Sequence, residues 1–285
     1  MIIIVGASGY IGNSLFNRFK KENFDVIGTY FRNKKPGLFY LDLESPDLNK
    51  FSLNMKNIRY MIIAAAANAS IDNTKKYWDY SYYINVVKTK ILIDFCFKHG
   101  ITPIYLSSDG VFDGTKGYYS EEDKRNPINC YGKIRYEVEN YIINSGMPYL
   151  ILRMGRVFGT ELEDGTLITG MLKTLRENKS SVCAIDHIFT PMNIEYLFSF
   201  VKASIENRYH GIFHLASLKA TSKYKIAKAI QKFFKLKGIN IIPCEIDSLN
   251  LLEKRPKRID LNISKYKKLT GYREKPIGHF LSLIR

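Results

Sequence analysis

The strongest constraint on the fold is a series of glycines near the start of the chain. The apolar segment Ile2–Val5 is followed at once by Gly6, Gly9 and Gly12 in the sequence GASGYIG, and a helical pattern begins at Ile11. Glycine allows a tight turn and close approach of a ligand to the backbone, and N–H groups at a helix start attract a pyrophosphate. This order is typical of a dinucleotide-binding loop, although a glycine-rich turn without a ligand stays open as an alternative. The residues expected to bind the dinucleotide are Gly6, Gly9, Tyr10, Ile11 and Gly12.

Short apolar runs alternate with amphipathic stretches through the first half of the chain. The predicted strands cover residues 2–5, 25–30, 58–64, 103–107 and 149–153, and the predicted helices cover residues 11–19, 83–97 and 131–144. Strands that are apolar on both faces and separated by helices form a parallel sheet with helices on both sides. The sequence therefore predicts an α/β fold, a Rossmann-type doubly wound parallel sheet.

The second half of the chain is less regular. Residues 167–178, 194–206 and 222–234 have helical spacing, and residues 211–215 read as a strand. We predict that residues 1–153 form a dinucleotide-binding domain, to which segments at about 186–215 return. Residues 154–285 are expected to form mostly a smaller, interleaved C-terminal lobe that binds the substrate.

The charge of the chain favours an anionic partner. It has 43 Lys and Arg residues against 27 Asp and Glu residues, a formal net charge of +16. The basic residues are spread along the whole sequence, and none forms a nucleic-acid recognition motif. Charge alone does not choose between nucleic acid, acidic lipid and a phosphorylated small molecule, but without a recognition motif we expect no nucleic-acid partner. No apolar stretch approaches the roughly 18 residues of a membrane span, so we expect no membrane association and no signal peptide.

The cysteines and histidines give no sign of a metal or of disulfides. The four cysteines contain no CxxC pair, and His187, His210 and His214 do not have the spacing of metal ligands. His214 lies in an apolar run and is expected to be a core residue. We predict no bound metal and a cytoplasmic location, where thiols stay reduced.

The segment after the second predicted strand indicates which dinucleotide is bound. A carboxylate there would bind the ribose 2′-hydroxyl of NAD, but residues 29–35 read TYFRNKK and contain no acid. Arg32, with a nearby lysine, can instead pair with a 2′-phosphate. The cofactor is therefore predicted to be NADP(H), with an exposed loop cation as the alternative interpretation of Arg32.

A series of motifs resembles the extended short-chain dehydrogenase/reductase family, and most closely its dTDP-4-dehydrorhamnose reductase branch of sugar-nucleotide reductases. The likeness covers nearly the whole chain, and its motifs keep the order and spacing of the family. The matching segments are LDL at 41–43, AAAAN at 64–68, Asn85, LSSDGVFDG at 106–114, YGKIR at 131–135 with Glu137 and Glu139, LR at 152–153, residues 186–191 and 211–215, and RP at 255–256.

This resemblance implies roles for individual residues. The catalytic Ser/Thr, Tyr and Lys positions of the family fall on Ser108, Tyr131 and Arg135. The residues implied to bind the cofactor, besides the loop and Arg32, are Asp42, Leu43, Ala64, Ala65, Ala66, Asn85, Tyr131 and Arg135. The residues implied to bind the substrate are Ser108, Asp109, Arg156 and Arg255.

The expected chemistry is the reduction of a ketone. A hydride donor must be held against the carbonyl carbon while an acid protonates the oxygen, and a nearby cation makes a phenol a better acid. Tyr131 supplies the phenol, Arg135 the charge one helical turn later, and Ser108 a hydrogen bond to the substrate oxygen.

We therefore expect NADPH-dependent reduction of the C4 keto group of a nucleotide-linked sugar. A homodimer is compatible with the sequence. Arginine stands where the family has lysine, and an arginine cannot relay a proton. The alternative is consequently an NADP-binding, non-catalytic regulatory subunit of the same branch. Arg156 replaces a family tryptophan and Gly110 a family tyrosine, which suggests a different sugar, with neutral drift as the other explanation.

Overall fold

The structure is a computed structural model that describes residues 1–46, 48, 57–68, 70–178 and 180–284. The chain divides into two compact units, each built from three segments. Unit 1 comprises Met1–Ser107, Cys130–Arg153 and Phe198–Ile212, and unit 2 comprises Ser108–Asn129, Met154–Leu197 and Phe213–Arg285. The domain boundaries expected from the sequence stay a prediction.

Seven strands of the described chain form one sheet, in the order β10-β6-β5-β4-β1-β2-β3. The strands of the chain are β1 (Ile2–Val5), β2 (Val26–Tyr30), β3 (Leu38–Tyr40), β4 (Tyr60–Ile63), β5 (Thr102–Ser108), β6 (Leu150–Met154), β7 (Val157–Phe158), β8 (Ser180–Ala184), β9 (Met192–Asn193), β10 (Gly211–Leu215) and β11 (Asn240–Cys244). Strand β1 pairs in parallel with β2 and β4, so that Ile2 lies between Val26 and Tyr60. This order is that of a Rossmann fold, which confirms the predicted fold class.

Helices connect the strands of this sheet, and further helices belong to unit 2. They are α1 (Tyr10–Lys21), α2 (Ile71–Lys76), α3 (Trp78–Tyr82), α4 (Thr89–Lys98), α5 (Cys130–Asn144), α6 (Leu167–Glu177), α7 (Ile194–Asn207), α8 (Lys223–Phe233), α9 (Ser264–Thr270) and α10 (Ile277–Leu283), with a π-helical stretch at Tyr83–Lys88. The helix predicted over 83–97 is therefore present, but its first part is π-helical. The short edge strand β3 was not predicted, because three residues are too few to show an alternation.

The core of unit 1 has two layers, one on each face of the sheet. On one face, Leu92 of α4 and Val138 of α5 are buried in a cluster with Ile3 and other strand residues. On the other face, the buried residues of α1 follow helical spacing, and the ring of Phe19 lies 5.1 Å from that of Phe198. Burying each such side chain stabilises the fold by about 1.5–3 kcal/mol, so the apolar strands and amphipathic helices specify this packing.

Unit 2 contains smaller sheets and its own core. Strands β8 and β11 pair in parallel, as do β7 and β9. The Phe112 ring stacks on Tyr119 with centroids 4.2 Å apart. The ring of His214 is fully buried, and its Nδ1 lies 3.0 Å from the Tyr119 carbonyl oxygen. His214 is therefore a core residue, as its position in an apolar run predicts.

Within the described residues, no helix has both the length and the apolar character needed to span a bilayer. Among the same residues, no group of three His, Cys, Asp or Glu side chains is arranged to hold a metal ion.

Candidate active site

The loop between β1 and α1 has no room for side chains at two of its glycines. Gly6 has a φ of +86°, and a Cβ there would lie 2.6 Å from the backbone of Ala65. A Cβ on Gly12 would lie 2.3 Å from the Gly6 carbonyl oxygen. The Gly6 N–H donates to Thr29 Oγ1 at 3.1 Å, so Thr29 in β2 fixes the turn. Sequence reasoning missed Thr29, because a threonine in a strand gives no sign of a partner 23 residues away.

Helix α1 begins directly after this loop, with Gly9 as its N-cap. Glycine has no side chain to occupy the N–H groups of the first turn, and that turn contains no acidic residue. The N–H groups of this turn, which no N-cap side chain occupies, and the positive end of the helix dipole therefore suit an anion. The compact turn and this donor set fit the pyrophosphate of a dinucleotide.

Three basic residues follow β2: Arg32, Lys34 and Lys35. The Arg32 side chain is exposed, and its guanidinium carbon lies 5.4 Å from the ring centroid of Phe31. Lys35 Nζ donates to Asn13 Oδ1 at 3.1 Å, which holds this ammonium group against helix α1. Lys35 is close to Arg32 in the sequence, so its ammonium group is a second candidate for contact with a 2′-phosphate.

The alanine segment after β4 is held in place by Asn85. The Ala64 N–H donates to the Val5 carbonyl at 3.0 Å, which continues the pairing of β4 with β1. Asn85, in the π-helical stretch, accepts the Ala67 N–H and donates to the Ala67 carbonyl, both at 2.8 Å. Because both the oxygen and the nitrogen of its side-chain amide are hydrogen-bonded, Asn85 positions residues 64–67, which the sequence predicts to border the cofactor.

The other predicted cofactor residues of unit 1 have different surroundings. Asp42 Oδ1 accepts the Glu44 N–H at 2.9 Å and so closes a local turn. Leu43 packs against the core of unit 1, and Tyr10 is 38% exposed at the start of α1. These contacts leave the predicted cofactor roles of Asp42, Leu43 and Tyr10 as predictions.

Tyr131 and Arg135 lie on one face of helix α5. The guanidinium carbon of Arg135 lies 5.1 Å from the ring centroid of Tyr131. Nη1 of Arg135 also donates to the Tyr105 hydroxyl at 3.2 Å and to the Leu106 carbonyl at 3.3 Å. The cation is therefore fixed between the phenol and strand β5, as the one-turn spacing predicts for the first of these contacts.

Arg135 stays charged in this position. Burial disfavours its charge, but the phenols of Tyr105 and Tyr131 outweigh burial, and the pKa of Arg135 is raised above its ordinary value. In the described part of the chain, the buried Nε–H of Arg135 has no hydrogen-bond partner. A ribose hydroxyl of a dinucleotide is the kind of acceptor that this donor requires.

A buried ion pair connects α5 to the sheet. Nη2 of Arg153, in β6, lies 2.9 Å from a carboxylate oxygen of Glu139, and the two side chains are 1% and 0% exposed. The Ser107 hydroxyl donates to the same carboxylate at 2.5 Å. This network fixes the helix that carries Tyr131 and Arg135. Sequence reasoning noted both charged residues as parts of motifs but did not predict that they pair.

The predicted substrate residues Ser108, Asp109, Arg156 and Arg255 all belong to unit 2. Ser108 Oγ donates to Asp109 Oδ1 at 2.7 Å and accepts the Gly110 N–H at 3.0 Å. Burial raises the pKa of Asp109 to about 6, although the Ser108 hydrogen bond and the charge of Arg156 oppose this shift. The Ser108 hydroxyl is therefore bonded to a carboxyl group that titrates near neutral pH.

A cleft of about 1150 Å³ opens in unit 2, and Arg255 is among its lining residues. Nη1 of Arg255 donates to the Glu253 carbonyl at 2.8 Å. Asp186 and Lys257 also line the cleft and form an ion pair at 3.0 Å. The cleft is thus large enough for a nucleotide and carries a basic side chain at its wall.

Comparison with known proteins places these features in a family. The family model described as RmlD substrate binding domain matches residues 1–279. The chain is 28% identical over 278 residues to methionine adenosyltransferase 2 subunit beta of Rattus norvegicus, covering 94% of this chain and 82% of the relative. It is also 28% identical over 238 residues to dTDP-4-dehydrorhamnose reductase of Aggregatibacter actinomycetemcomitans, covering 80% of this chain and 77% of the relative.

A solved structure supports the same relationship. The structure described as a hypothetical dTDP-4-dehydrorhamnose reductase from Sulfolobus tokodaii matches with a TM-score of 0.84 and 27% identity, over 98% of this chain and 99% of that chain. The likeness therefore spans both units.

Proposed function

We propose that this chain, which belongs to the RmlD substrate binding domain family, is an NADPH-dependent oxidoreductase that reduces the C4 keto group of a nucleotide-linked sugar. Its membership of this family confirms the resemblance drawn from its motifs. The observation that carries this proposal is the arrangement of Tyr131 and Arg135. A phenol lies 5.1 Å from a buried, permanently charged guanidinium, in the unit that also holds the glycine loop. This is the acid that a ketone reduction requires.

The proposed cofactor contacts follow from the geometry of unit 1. The α1 N-terminus holds the pyrophosphate, Arg32 and Lys35 hold the 2′-phosphate, and Arg135 donates to the nicotinamide ribose. NADPH, when bound, supplies the hydride. Residues 64–67, positioned by Asn85, lie beside the glycine loop, because a Cβ on Gly6 would meet Ala65.

The proposed reaction places a proton on the substrate oxygen. Tyr131 donates the proton, and Arg135 stabilises the phenolate that remains. Ser108, in unit 2, is proposed to hydrogen-bond the substrate, as its position in the family's pattern implies. Because arginine keeps its proton, Arg135 acts on Tyr131 through its charge only, and the phenolate must regain its proton from solvent.

The test of this function uses the purified protein with NADPH and a panel of dTDP- and UDP-linked 4-keto sugars. We expect loss of NADPH absorbance together with formation of the corresponding alcohol, detected by mass spectrometry. Binding of NADPH without oxidation by any member of the panel would contradict the proposal.

The alternative function is that of an NADP-binding regulatory subunit without catalysis. It is favoured by Arg135 in place of lysine and by the 28% identity to methionine adenosyltransferase 2 subunit beta. Under this alternative, the chain keeps its dinucleotide loop and binds a catalytic partner.

Replacing Arg135 by Lys distinguishes the two functions. If the chain is a reductase, we expect turnover to rise by about tenfold or more, because lysine can both hold the phenolate and pass on a proton. The measurement is kcat for NADPH oxidation, with NADPH affinity determined in parallel. A complete lack of activity in both proteins, with NADPH still bound, would favour the regulatory subunit.

Replacing Arg32 by Ala is expected to reduce the preference for NADPH over NADH by about three- to tenfold, since one of two proposed 2′-phosphate contacts is lost. The Arg32→Ala/Lys35→Ala double variant should lose the preference almost entirely. Dissociation constants for both cofactors, measured by fluorescence, check this result. Lys34→Ala is the matched control, because Lys34 lies exposed in the same loop. An unchanged ratio in the double variant would place the 2′-phosphate elsewhere.

The hydrogen bond between Ser108 and Asp109 predicts a pH dependence. Above the Asp109 pKa of about 6 the carboxylate accepts the Ser108 hydroxyl, whereas below it the neutral acid releases that hydroxyl for the substrate. We therefore expect kcat/KM to rise as the pH falls through this value. Asp109→Asn should remove this rise and raise activity at alkaline pH, because an amide can donate to Ser108. Superimposable pH profiles for the two proteins would show that Asp109 does not control Ser108.

The cytoplasm is the compartment we propose for this reaction. The four cysteines are free, and Cys96, Cys130 and Cys183 are buried. Free thiols persist in a reducing environment. The homodimer that is compatible with the sequence stays a prediction.

A further inference from the structure

Tyr105 is a buried phenol of unit 1 that the proposed reaction does not use. It lies in strand β5, where it pairs with Ile63 of β4, and the residue is only 1% exposed. A hydroxyl in the interior of the sheet cannot meet a substrate, so Tyr105 is not a second acid. Sequence reasoning assigned it no role, because it reads as one more position of an apolar strand.

The hydroxyl of Tyr105 holds the side chain of Arg135. Nη1 of Arg135 donates to this hydroxyl at 3.2 Å and to the Leu106 carbonyl at 3.3 Å. The guanidinium carbon lies 5.8 Å from the ring centroid of Tyr105 and 5.1 Å from that of Tyr131. Because both hydrogens of Nη1 are used and two aromatic rings pack against the group, strand β5 fixes the plane of the guanidinium.

Both acceptors of Nη1 are neutral groups. Burial raises the pKa of the Tyr105 phenol, and the charge of Arg135 lowers it by less, so the phenol keeps its proton. A carboxylate in this place would compensate the charge of the guanidinium, as Glu139 does for Arg153 at 2.9 Å. A phenol and a carbonyl orient the cation without cancelling its charge, which therefore remains available to Tyr131.

We propose that Tyr105 is a positioning residue, whose hydroxyl turns the Arg135 guanidinium so that its charge lies against Tyr131. This inference rests on the proposed function, because it concerns the acid of that reaction. A guanidinium is planar and presents its donors in fixed directions, whereas the ammonium group of lysine is a compact charge with three rotatable donors. An arginine in the place of the family's lysine therefore needs a partner that sets its plane, and Tyr105 is that partner.

The test replaces Tyr105 by Phe, which removes the hydroxyl and keeps the ring beside the guanidinium. We expect kcat for NADPH oxidation to fall about tenfold, the factor that corresponds to a hydrogen bond of about 1.4 kcal/mol, while KM for the sugar stays unchanged. The affinity for NADPH should fall about threefold, because Arg135 is also the proposed donor to the nicotinamide ribose. Steady-state kinetics and cofactor binding by fluorescence measure these effects. Unchanged kcat and unchanged NADPH affinity would overturn the inference.

A second comparison separates positioning of Arg135 from general support of the sheet. In the Arg135→Lys variant, Tyr105→Phe should change kcat by less than about twofold, because the ammonium group of lysine has no plane to be set. A residue that only supports β5 would lower kcat by the same factor with either side chain at position 135. Equal factors in the two backgrounds would therefore contradict a positioning role.

Tyr60→Phe is the matched control. Tyr60 lies in the neighbouring strand β4, is 8% exposed, and donates its hydroxyl to the Ile205 carbonyl at 3.3 Å. This variant should lose about as much resistance to urea as Tyr105→Phe, because each loses one buried hydrogen bond, but it should keep its kcat and its affinity for NADPH. A fall of kcat in Tyr60→Phe as large as that in Tyr105→Phe would mean that the effect is not specific to Arg135.

Failure of this inference and failure of the proposed function give different results. An unmodified protein that binds NADPH but oxidises it with no sugar of the panel contradicts the proposed function, whereas a fully active Tyr105→Phe protein contradicts only the inference. If Tyr105→Phe does not fold, a crystal structure of the unmodified protein with NADP⁺ supplies the test. Nη1 of Arg135 should then stay within hydrogen-bond distance of the Tyr105 hydroxyl, and a guanidinium turned away from it would refute the positioning role.

Discussion

Replacing Tyr131 by Phe is expected to lower kcat by about 10²–10⁴-fold and to leave the affinity for NADPH nearly unchanged. The substitution removes only the phenolic oxygen, which the proposed reaction uses as the acid. The ring that lies 5.1 Å from the Arg135 guanidinium is kept. Because the proton is transferred in the transition state, its loss should lower kcat and kcat/KM by similar factors.

The measurement is steady-state NADPH oxidation with a substrate identified from the panel, together with cofactor binding by fluorescence. Tyr141→Phe is the matched control, since Tyr141 lies on the same helix and its hydroxyl bonds to Asp94 on α4. That variant should keep its activity. A Tyr131→Phe protein with more than about a tenth of the original kcat would show that another group supplies the proton.

The predictable part of the fold is the part encoded by local patterns. The strand Ile2–Val5, the glycines after it and the helix that follows are neighbours in sequence, and their spacing alone indicates both fold and ligand class. The parallel, doubly wound arrangement also followed, because strands that are apolar on both faces and separated by helices form such a sheet. The family motifs then indicated Tyr131 and Arg135, which the structure brings together on α5.

The unpredicted features depend on contacts between residues that lie far apart in sequence. Thr29 supports Gly6 across 23 positions, and nothing in the strand marks its hydroxyl for this role. The backbone around residues 156, 221 and 257 is brought together by hydrogen bonds to residues 188–192, and no local pattern in the sequence indicates this. A sequence pattern reports which face of an element is buried, but it does not report which polar groups meet once the elements pack.

The buried pair of Glu139 and Arg153 leads to the largest predicted effect on stability. Replacing Glu139 by Leu should lower the free energy of unfolding by about 3–5 kcal/mol, because Arg153, which is 1% exposed, would lose the carboxylate that compensates its buried charge. The Ser107 hydroxyl would lose its acceptor at the same time. The measurement is urea unfolding followed by circular dichroism, with the m-value checked for two-state behaviour.

Two further variants make this result specific to the buried pair. Glu137 lies on the same helix and pairs with Lys90 at 2.8 Å, but its side chain is 37% exposed. Glu137→Gln should therefore cost less than about 1 kcal/mol, since water compensates an exposed charge. The double variant Glu139→Leu/Arg153→Met should recover most of the lost stability, because it replaces the ion pair by apolar packing and leaves no buried charge. Two results would show that the pair does not hold α5 to the sheet: a loss of stability for Glu139→Leu no larger than that for Glu137→Gln, or a double variant as unstable as Glu139→Leu. The placement of Tyr131 would then depend on other contacts.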